Sequence, residues 1–269
     1  MSKAAEHKGT AVITGASSGI GAVYADRLAR RGYDLIIVAR NRDKLNQLAS
    51  HISAETQRSV EVAAADLNDP QDLRALEAKL RQDASITLLV NNAGVGTHTA
   101  LLQSDVDQME RMIDLNVIAP TRLTYAVVPG MVARGGGAII NIASIVSIAP
   151  EILNGVYGGS KAYVQAFSQS LHHELHGQGI QVQAVLPGAT ATDFWATGGL
   201  ALEHLDPTIV MTPQALVDAA LVGFDRGELI TLPSLQDEGE WLAFEAARQA
   251  MMQHLSVNKP APRYQAAHE

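Results

Sequence analysis

A single parallel β-sheet covered by helices on both faces, the doubly wound α/β class, is predicted for this chain of 269 residues. Three observations lead there. Short Val/Ile-rich runs alternate with helical patterns along the chain, and strand–helix–strand repetition implies right-handed crossovers and a parallel sheet. The runs lack strict polar–apolar alternation, as expected of strands buried on both faces. No linker, low-complexity stretch or solenoid-length repeat divides the chain, so one domain is expected over residues 1–269.

The elements follow in order. TAVIT (10–14) reads as the first strand and about 18–31 as the first helix, followed by DLIIVA (34–39) and a helix near 42–55. VEVAAA (60–65) precedes a helix near 70–82, whose start is marked by Asn68-Asp69-Pro70, a capping residue before a helical proline. ITLLVNN (86–92), a long helix near 105–132, GAIINIA (137–143), a helix near 155–176 and IQVQAVL (180–186) continue the rhythm. Thr212-Pro213 opens a last helix near 213–225. Residues 188–212 are irregular and too long for an ordinary connector, and with Phe194, Trp195, Leu200 and Leu202 they read as an apolar substrate lid. An extension runs from about 231 to 269, and after Val257, with Pro260 and Pro262, it is expected to be loose.

Composition narrows the function. Hydrophobic residues make up 47% and charged residues 18%, ordinary for a globular protein. There are no cysteines, so disulfides, thiolate metal sites and cysteine nucleophiles are excluded, and redox chemistry needs a bound cofactor. A net charge of −8 opposes a nucleic-acid partner. No apolar run suits a membrane span and MSKAAEHKGT has no secretory apolar core, so no membrane partner and a cytoplasmic location are expected.

TGASSGIG, Thr14 to Gly21, follows the first strand and opens the first helix. Gly15, Gly19 and Gly21 allow a tight turn, close backbone approach to a pyrophosphate and close helix–strand packing, with the anion at the helix N-terminus. At the end of the second strand, where a carboxylate would bind a ribose 2′-hydroxyl, stand Ala39 and Arg40; a guanidinium there favours NADP(H), with NAD(H) a lesser option. NGVYGGSKAYV (154–164) imitates a phosphate loop but has Ser160 before Lys161 and Ala162 after it, so that reading fails. Tyr157 and Lys161, four residues apart, share a helix face, a spacing equally open to an ordinary surface pair. HHELH (172–176) lacks the order of a zinc helix, since position 177 is Gly177, and no metal is expected.

TGASSGIG, NNAG (91–94), Asn116, Ser144, YGGSK (157–161) and Pro187-Gly188, in this order over residues 9 to 230, resemble the short-chain dehydrogenases/reductases. The resemblance implies a Rossmann fold with a seven-stranded sheet, an NAD(P)(H) cofactor and an Asn-Ser-Tyr-Lys catalytic group. Tyr157 would be the general acid/base and Lys161 its positive neighbour and ribose contact; Ser144 would orient the substrate oxygen, and Asn116 would hold a water. Cofactor contacts would come from Gly15, Ser17, Ser18, Gly19, Ile20, Gly21, Arg40, Asp66, Leu67, Asn92, Ala93, Gly94, Tyr157, Lys161, Pro187, Gly188, Thr190 and Thr192. Ser144, Ile145, Val146, Tyr157, Phe194 and Trp195 would face a small-molecule carbonyl or alcohol substrate.

Gly159 stands where the family has a small residue such as alanine, and Ser147 where it often has glycine, which could put a further polar group near the substrate. A 3-oxoacyl-carrier reductase, a steroid-type dehydrogenase and a cofactor-binding sensor without turnover remain rivals, while an epimerase would need a larger C-terminal domain. Family members commonly pair their two long crossover helices, which here implies a homodimer or homotetramer through 105–132 and 155–176.

Overall fold

The structure is a computed structural model and describes residues 7–199 and 202–264; Leu200 of the expected lid lies outside the described residues. The chain divides into two compact units, Met1–Pro233 and Ser234–Glu269.

The first unit holds seven parallel strands in the order β3-β2-β1-β4-β5-β6-β7. The strands are β1 Thr10–Thr14, β2 Asp34–Ala39, β3 Val60–Ala64, β4 Ile86–Asn91, β5 Gly137–Ile142, β6 Ile180–Val185 and β7 Ile230–Thr231. Six match the apolar runs in the sequence to within a residue. The two-residue β7 has too little sequence to carry a period, and it exists because Ala184 N and Leu186 N bond the Leu229 and Thr231 carbonyls.

Successive strand residues face opposite sides, and each side has its own core. Ile13 of β1 joins Tyr24 and Leu28 of α1 (Gly19–Arg30), Leu45 and Ile52 of α2 (Arg42–Thr56) and Val217 of α8 (Pro213–Asp225). Its neighbour Val12 joins Leu76 and Leu80 of α3 (Pro70–Gln82), Leu123 and Met131 of α5 (Ala119–Ala133) and Leu171 of α6 (Gly155–Leu175). Side-chain caps from Asn41, Asp69, Asn154 and Thr212 open α2, α3, α6 and α8. Each cap is worth about 1 kcal/mol.

The long helix expected over 105–132 is present and is interrupted by a π-helical turn over Asp114–Ile118, which separates α4 (Val106–Ile113) from α5. Pro120 explains why regular bonding fails there, since it has no N–H for the carbonyl four residues back, that of Asn116. The lid region 188–212 contains one short helix, α7 (Phe194–Thr197), and two 3₁₀ turns. Within the second unit, Asp237 caps a helix, α9 (Glu238–Met252), that the sequence reading left unassigned. Its signal was available in a capping aspartate followed by strong helix formers. Among the described residues no helix is long and apolar enough to cross a membrane.

Gly159 sits in the interior of α6, exposed, and a Cβ there would meet nothing within 4 Å. Gly159→Ala should therefore stabilise the protein by up to about 1 kcal/mol, raising the thermal midpoint by about 2–4 °C. Calorimetry of the two proteins checks this, and an unchanged or lower midpoint would mean that the helix is held by tertiary contacts indifferent to propensity.

Candidate active site

The order of the sheet reverses between β1 and β4, so the loops leaving those strands part and leave a crevice at the carboxyl edge. The glycine turn lies there. Gly15 and Gly19 have φ of +66° and +55°, the left-handed region that favours glycine. A Cβ on Gly21 would come within 2.5 Å of Asn92 Nδ2 and closer still to the Gly15 carbonyl, so only glycine lets α1 start against the turn. Ser18 occupies the N-cap position of α1 but makes no side-chain cap bond. The first N–H groups of α1 therefore remain available to an anion, and the positive end of the helix dipole faces the same way. Ser17 lies half-buried in the turn, and Ile20 packs onto the core behind it.

Two side chains close the crevice. Thr14 Oγ1 accepts from Asn92 N and Ala93 N, both at 3.0 Å, and Asn92 Nδ2 donates to the carbonyls of Thr14 and Gly15 at 2.8 and 3.2 Å. The Asn92 amide is thus committed to holding the turn, and what 92–94 can offer a ligand is mainly backbone. Past β2, Arg40 is exposed and has no hydrogen bond or ion pair among the described residues, while Asn41 is spent on capping α2. Arg42, equally exposed and unpaired, adds a second guanidinium that the sequence reading passed over. At the end of β3, Asp66 Oδ1 accepts from Asn68 N at 3.0 Å and Asp66 N donates to Asp72, fixing the turn in which Leu67 is buried. These residues fit a dinucleotide: a Cβ-free cradle at a bare helix start, and exposed guanidinium groups at the end of the neighbouring strand.

The four expected catalytic residues are all buried. Ser144 ends β5, held to the carbonyl of Pro187 at 3.4 Å, and Ile145 N bonds the same carbonyl at 3.0 Å. The Pro187-Gly188 segment is thereby tied to Ser144. Val146 packs in the small core beneath Tyr157. Ser147 contributes no free polar group, because its hydroxyl donates to the Ser144 carbonyl at 2.6 Å.

Asn154 positions Tyr157 by capping α6 through Val156 N and Tyr157 N, while its amide reaches the Thr99 carbonyl at 2.7 Å. Burial pushes the Tyr157 phenol up to about 12, with a hydrogen bond from Ser144 pulling the other way. The phenol is therefore protonated at neutral pH and can donate. Lys161 lies one turn on, its Nζ 2.8 Å from the Ile142 carbonyl and 5.9 Å from the Tyr157 ring centre. Burial brings its ammonium down to about 8, so its charge is readily gained and lost.

Asn116 sits in the π-helical turn. Its side chain accepts from Val95 N at 3.0 Å and donates to the Val95 carbonyl at 2.8 Å and to Ser160 Oγ at 3.0 Å. The Asn116 amide is thus committed to protein partners. Ser160 in turn donates to the Tyr157 carbonyl, which locks the π turn to the helix carrying Tyr157 and Lys161. Sequence reading missed Ser160 in this role, although its place between the two catalytic positions was the available hint.

The lid lies over Tyr157. The Phe194 ring stands 5.6 Å from the Tyr157 ring, and Trp195 meets Phe194 edge-on while its Nε1 bonds the Thr190 carbonyl at 2.9 Å. Thr190 also bonds the Gly188 carbonyl, and Thr192 lies against Gly19 of the glycine turn. His172 and His176 stack on each other at the far end of α6, and no trio of potential metal ligands occurs among the described residues.

Fold and site are those of the doubly wound proteins that bind dinucleotides at a glycine turn. The chain belongs to the short-chain dehydrogenase family, whose model matches residues 9–200. It is 48% identical to a short-chain dehydrogenase from Sphingobium yanoikuyae solved in complex with NADPH, with a TM-score of 0.92 over 96% of this chain and 100% of that one. It is 44% identical to the bulky-bulky ketone specific alcohol dehydrogenase from Comamonas testosteroni, with a TM-score of 0.88 over 97% and 100%. It is 37% identical over 186 residues to a very-long-chain 3-oxoacyl-CoA reductase from Bos taurus, 68% of this chain but only 59% of that protein's length.

The depressed Lys161 value makes a prediction about stability. Between about pH 8 and the ordinary value of 10.5 the unfolded chain holds a proton that the folded chain has lost. The unfolded state then binds more protons, so the Lys161 contribution to the unfolding free energy rises with pH across that window and is flat below it. Urea unfolding of wild type and Lys161→Met at intervals from pH 7 to 10.5 should show wild type gaining on the variant as pH rises. A constant difference would mean that the ammonium is not desolvated.

Proposed function

We propose that this protein is an NADP(H)-dependent oxidoreductase acting on a ketone or secondary alcohol. The observation that carries the reading is a buried Tyr157 with the buried Ser144 and Lys161, the latter one turn away on α6 and tied to the Ile142 carbonyl. The cofactor would supply or accept the hydride. Ser144 and Tyr157 both direct hydroxyls at a carbonyl oxygen, and Tyr157 passes its proton to that oxygen as negative charge develops. Lys161, with an ammonium that titrates near neutrality, favours the phenolate and takes up the compensating proton. Asn116 and Ser160 hold the helix so that Tyr157 and Lys161 keep their spacing.

Arg40, exposed and without a partner, supports preference for the 2′-phosphorylated cofactor, as does the likeness to a protein solved with NADPH. The remaining proposed contacts are Gly15, Ser17, Ser18, Gly19, Ile20 and Gly21 for the pyrophosphate, Asp66, Leu67, Asn92, Ala93 and Gly94 on the adenosine side, and Pro187, Gly188, Thr190 and Thr192 around the nicotinamide. The carbon-rich lid, and the likeness to a dehydrogenase of bulky ketones, favour a large apolar ketone as substrate. A 3-oxoacyl thioester is the second reading, supported by the likeness to the cattle reductase.

The working unit in this proposal is one Rossmann-type domain with residues 188–212 as its lid and residues beyond about 231 as an extension. It acts as a homodimer or homotetramer through α4, α5 and α6, where Ile113, Ile118 and Tyr125 stand exposed.

NADPH oxidation followed by absorbance, with NADH in parallel, across bulky and small ketones and 3-oxoacyl thioesters tests the reading. Turnover by wild type should fall about 10²- to 10⁴-fold in Tyr157→Phe. A sensor would bind NADPH and oxidise none of it. Arg40→Ala should reduce kcat/KM for NADPH by about 10- to 100-fold, the weight of a charge-assisted bond, and leave NADH little changed. Equal losses with both cofactors would remove Arg40 from the phosphate.

A further inference from the structure

Position 96 belongs to none of the residues with an expected role, yet two rings of the site crowd it. A Cβ built on Gly96 would lie 2.9 Å from Tyr157 Cε2 and 2.9 Å from Phe194 Cε2, and closer still to Phe194 Cζ. The φ of Gly96 is not in the left-handed region, so backbone freedom is not the reason for glycine here. The reason is space. The missing side chain leaves the volume into which the edge of the Phe194 ring fits, tilted 47° against Tyr157.

Phe194 has few ways to give. Trp195, next along α7, is fastened to the Thr190 carbonyl on one side. On the other, the Gly198 carbonyl accepts from Thr97 Oγ1 at 3.3 Å and pairs with His98 Nδ1 at 3.0 Å, and both partners lie on the loop that carries Gly96. A side chain at 96 is therefore accommodated by turning the Phe194 ring rather than by sliding the lid away. Beside Phe194 a narrow cleft is lined by Leu153, Trp195, Thr97, His98 and Gly198, with mostly apolar walls. The Phe194 ring forms one wall of this cleft and packs against Tyr157 on its other side.

We propose that Gly96 is a specificity-determining residue: by having no side chain it seats Phe194 against Tyr157, and so sets how an apolar substituent of the ketone, such as an aryl ring, packs on Phe194 beside the tyrosine. This rests on the reading of the site as a ketone reductase and adds the substrate feature that it selects. Gly96 itself touches no reacting atom and acts through Phe194.

The test is a double-mutant cycle on substrate choice, using kcat/KM for acetophenone and for 2-butanone in wild type, Gly96→Ala, Phe194→Ala and the double variant, with NADPH affinity measured by fluorescence. Gly96→Ala should lower the acetophenone-to-butanone ratio by about tenfold or more, the scale of a one-carbon change in an apolar pocket. In the Phe194→Ala background the nearer collision partner is gone and the remaining one, Tyr157, serves both ketones alike, so the same substitution should move the ratio by less than about threefold. NADPH affinity should stay within about twofold of wild type in Gly96→Ala, because the contacts disturbed are on the substrate side.

A ratio unmoved by Gly96→Ala, or moved equally in both backgrounds, overturns the proposal. If Gly96→Ala does not fold, Phe194→Ala alone decides: an unchanged ratio overturns it and a shifted one supports it. Wild type that binds NADPH but reduces no ketone overturns the functional reading and this inference together, whereas turnover with an indifferent ratio overturns this inference alone.

Discussion

The join between β1 and β4 is the constraint on which the site depends. There the strand order reverses, and two chain segments 78 residues apart, at Thr14 and Asn92, must be held together without a covalent link. Thr14 does this with one hydroxyl that accepts two backbone N–H groups, and Asn92 returns its amide to two backbone carbonyls. Each of these groups would otherwise be a partly buried polar atom without a partner, at a cost of about 1–3 kcal/mol apiece. The glycine turn is thereby placed within reach of the loop that carries Gly94, and Gly94 in turn packs against Asn116 and Lys161.

A second layer of polar bonding fixes the catalytic helix. Asn116 in the π-helical turn, Ser160, and the Tyr157 carbonyl form a chain of hydrogen bonds between the α4–α5 crossover and α6. Lys161 is pinned separately to β5 through the Ile142 carbonyl. Burial moves the phenol and the ammonium in opposite directions for the same reason: a low-dielectric surrounding disfavours whichever form is charged. The phenol therefore holds its proton more tightly than usual, and the ammonium sheds its own more readily.

Residues 188–212 meet this site through Phe194. Phe194 packs at a tilt against Tyr157 because Gly96 makes room for it and because Trp195 and Gly198 fasten the segment at both ends. A part of the chain that reads as irregular is thus closely positioned where it covers the site. Its order comes from main-chain carbonyls, at Thr190 and Gly198, which any sequence possesses.

Local pattern was enough for the six longer strands, the capped helix starts, the glycine turn and the Tyr157–Lys161 pair. In each case the signal is short-range: apolar runs, a cap before a proline, glycines next to a strand, or two side chains one helical turn apart. Other features came from residues far apart in the chain. Strand β7 is defined by its neighbour β6, and the use of the Asn92 and Asn116 side chains by partners 78 and 21 residues away. The break in the 105–132 helix had its cause in view at Pro120, but a proline near a helix start is normally harmless, so only packing could turn it into a π turn. The need for glycine at position 96 was not legible at all, because it depends on two rings that arrive from α6 and α7, and steric exclusion between distant segments leaves no local trace in a sequence.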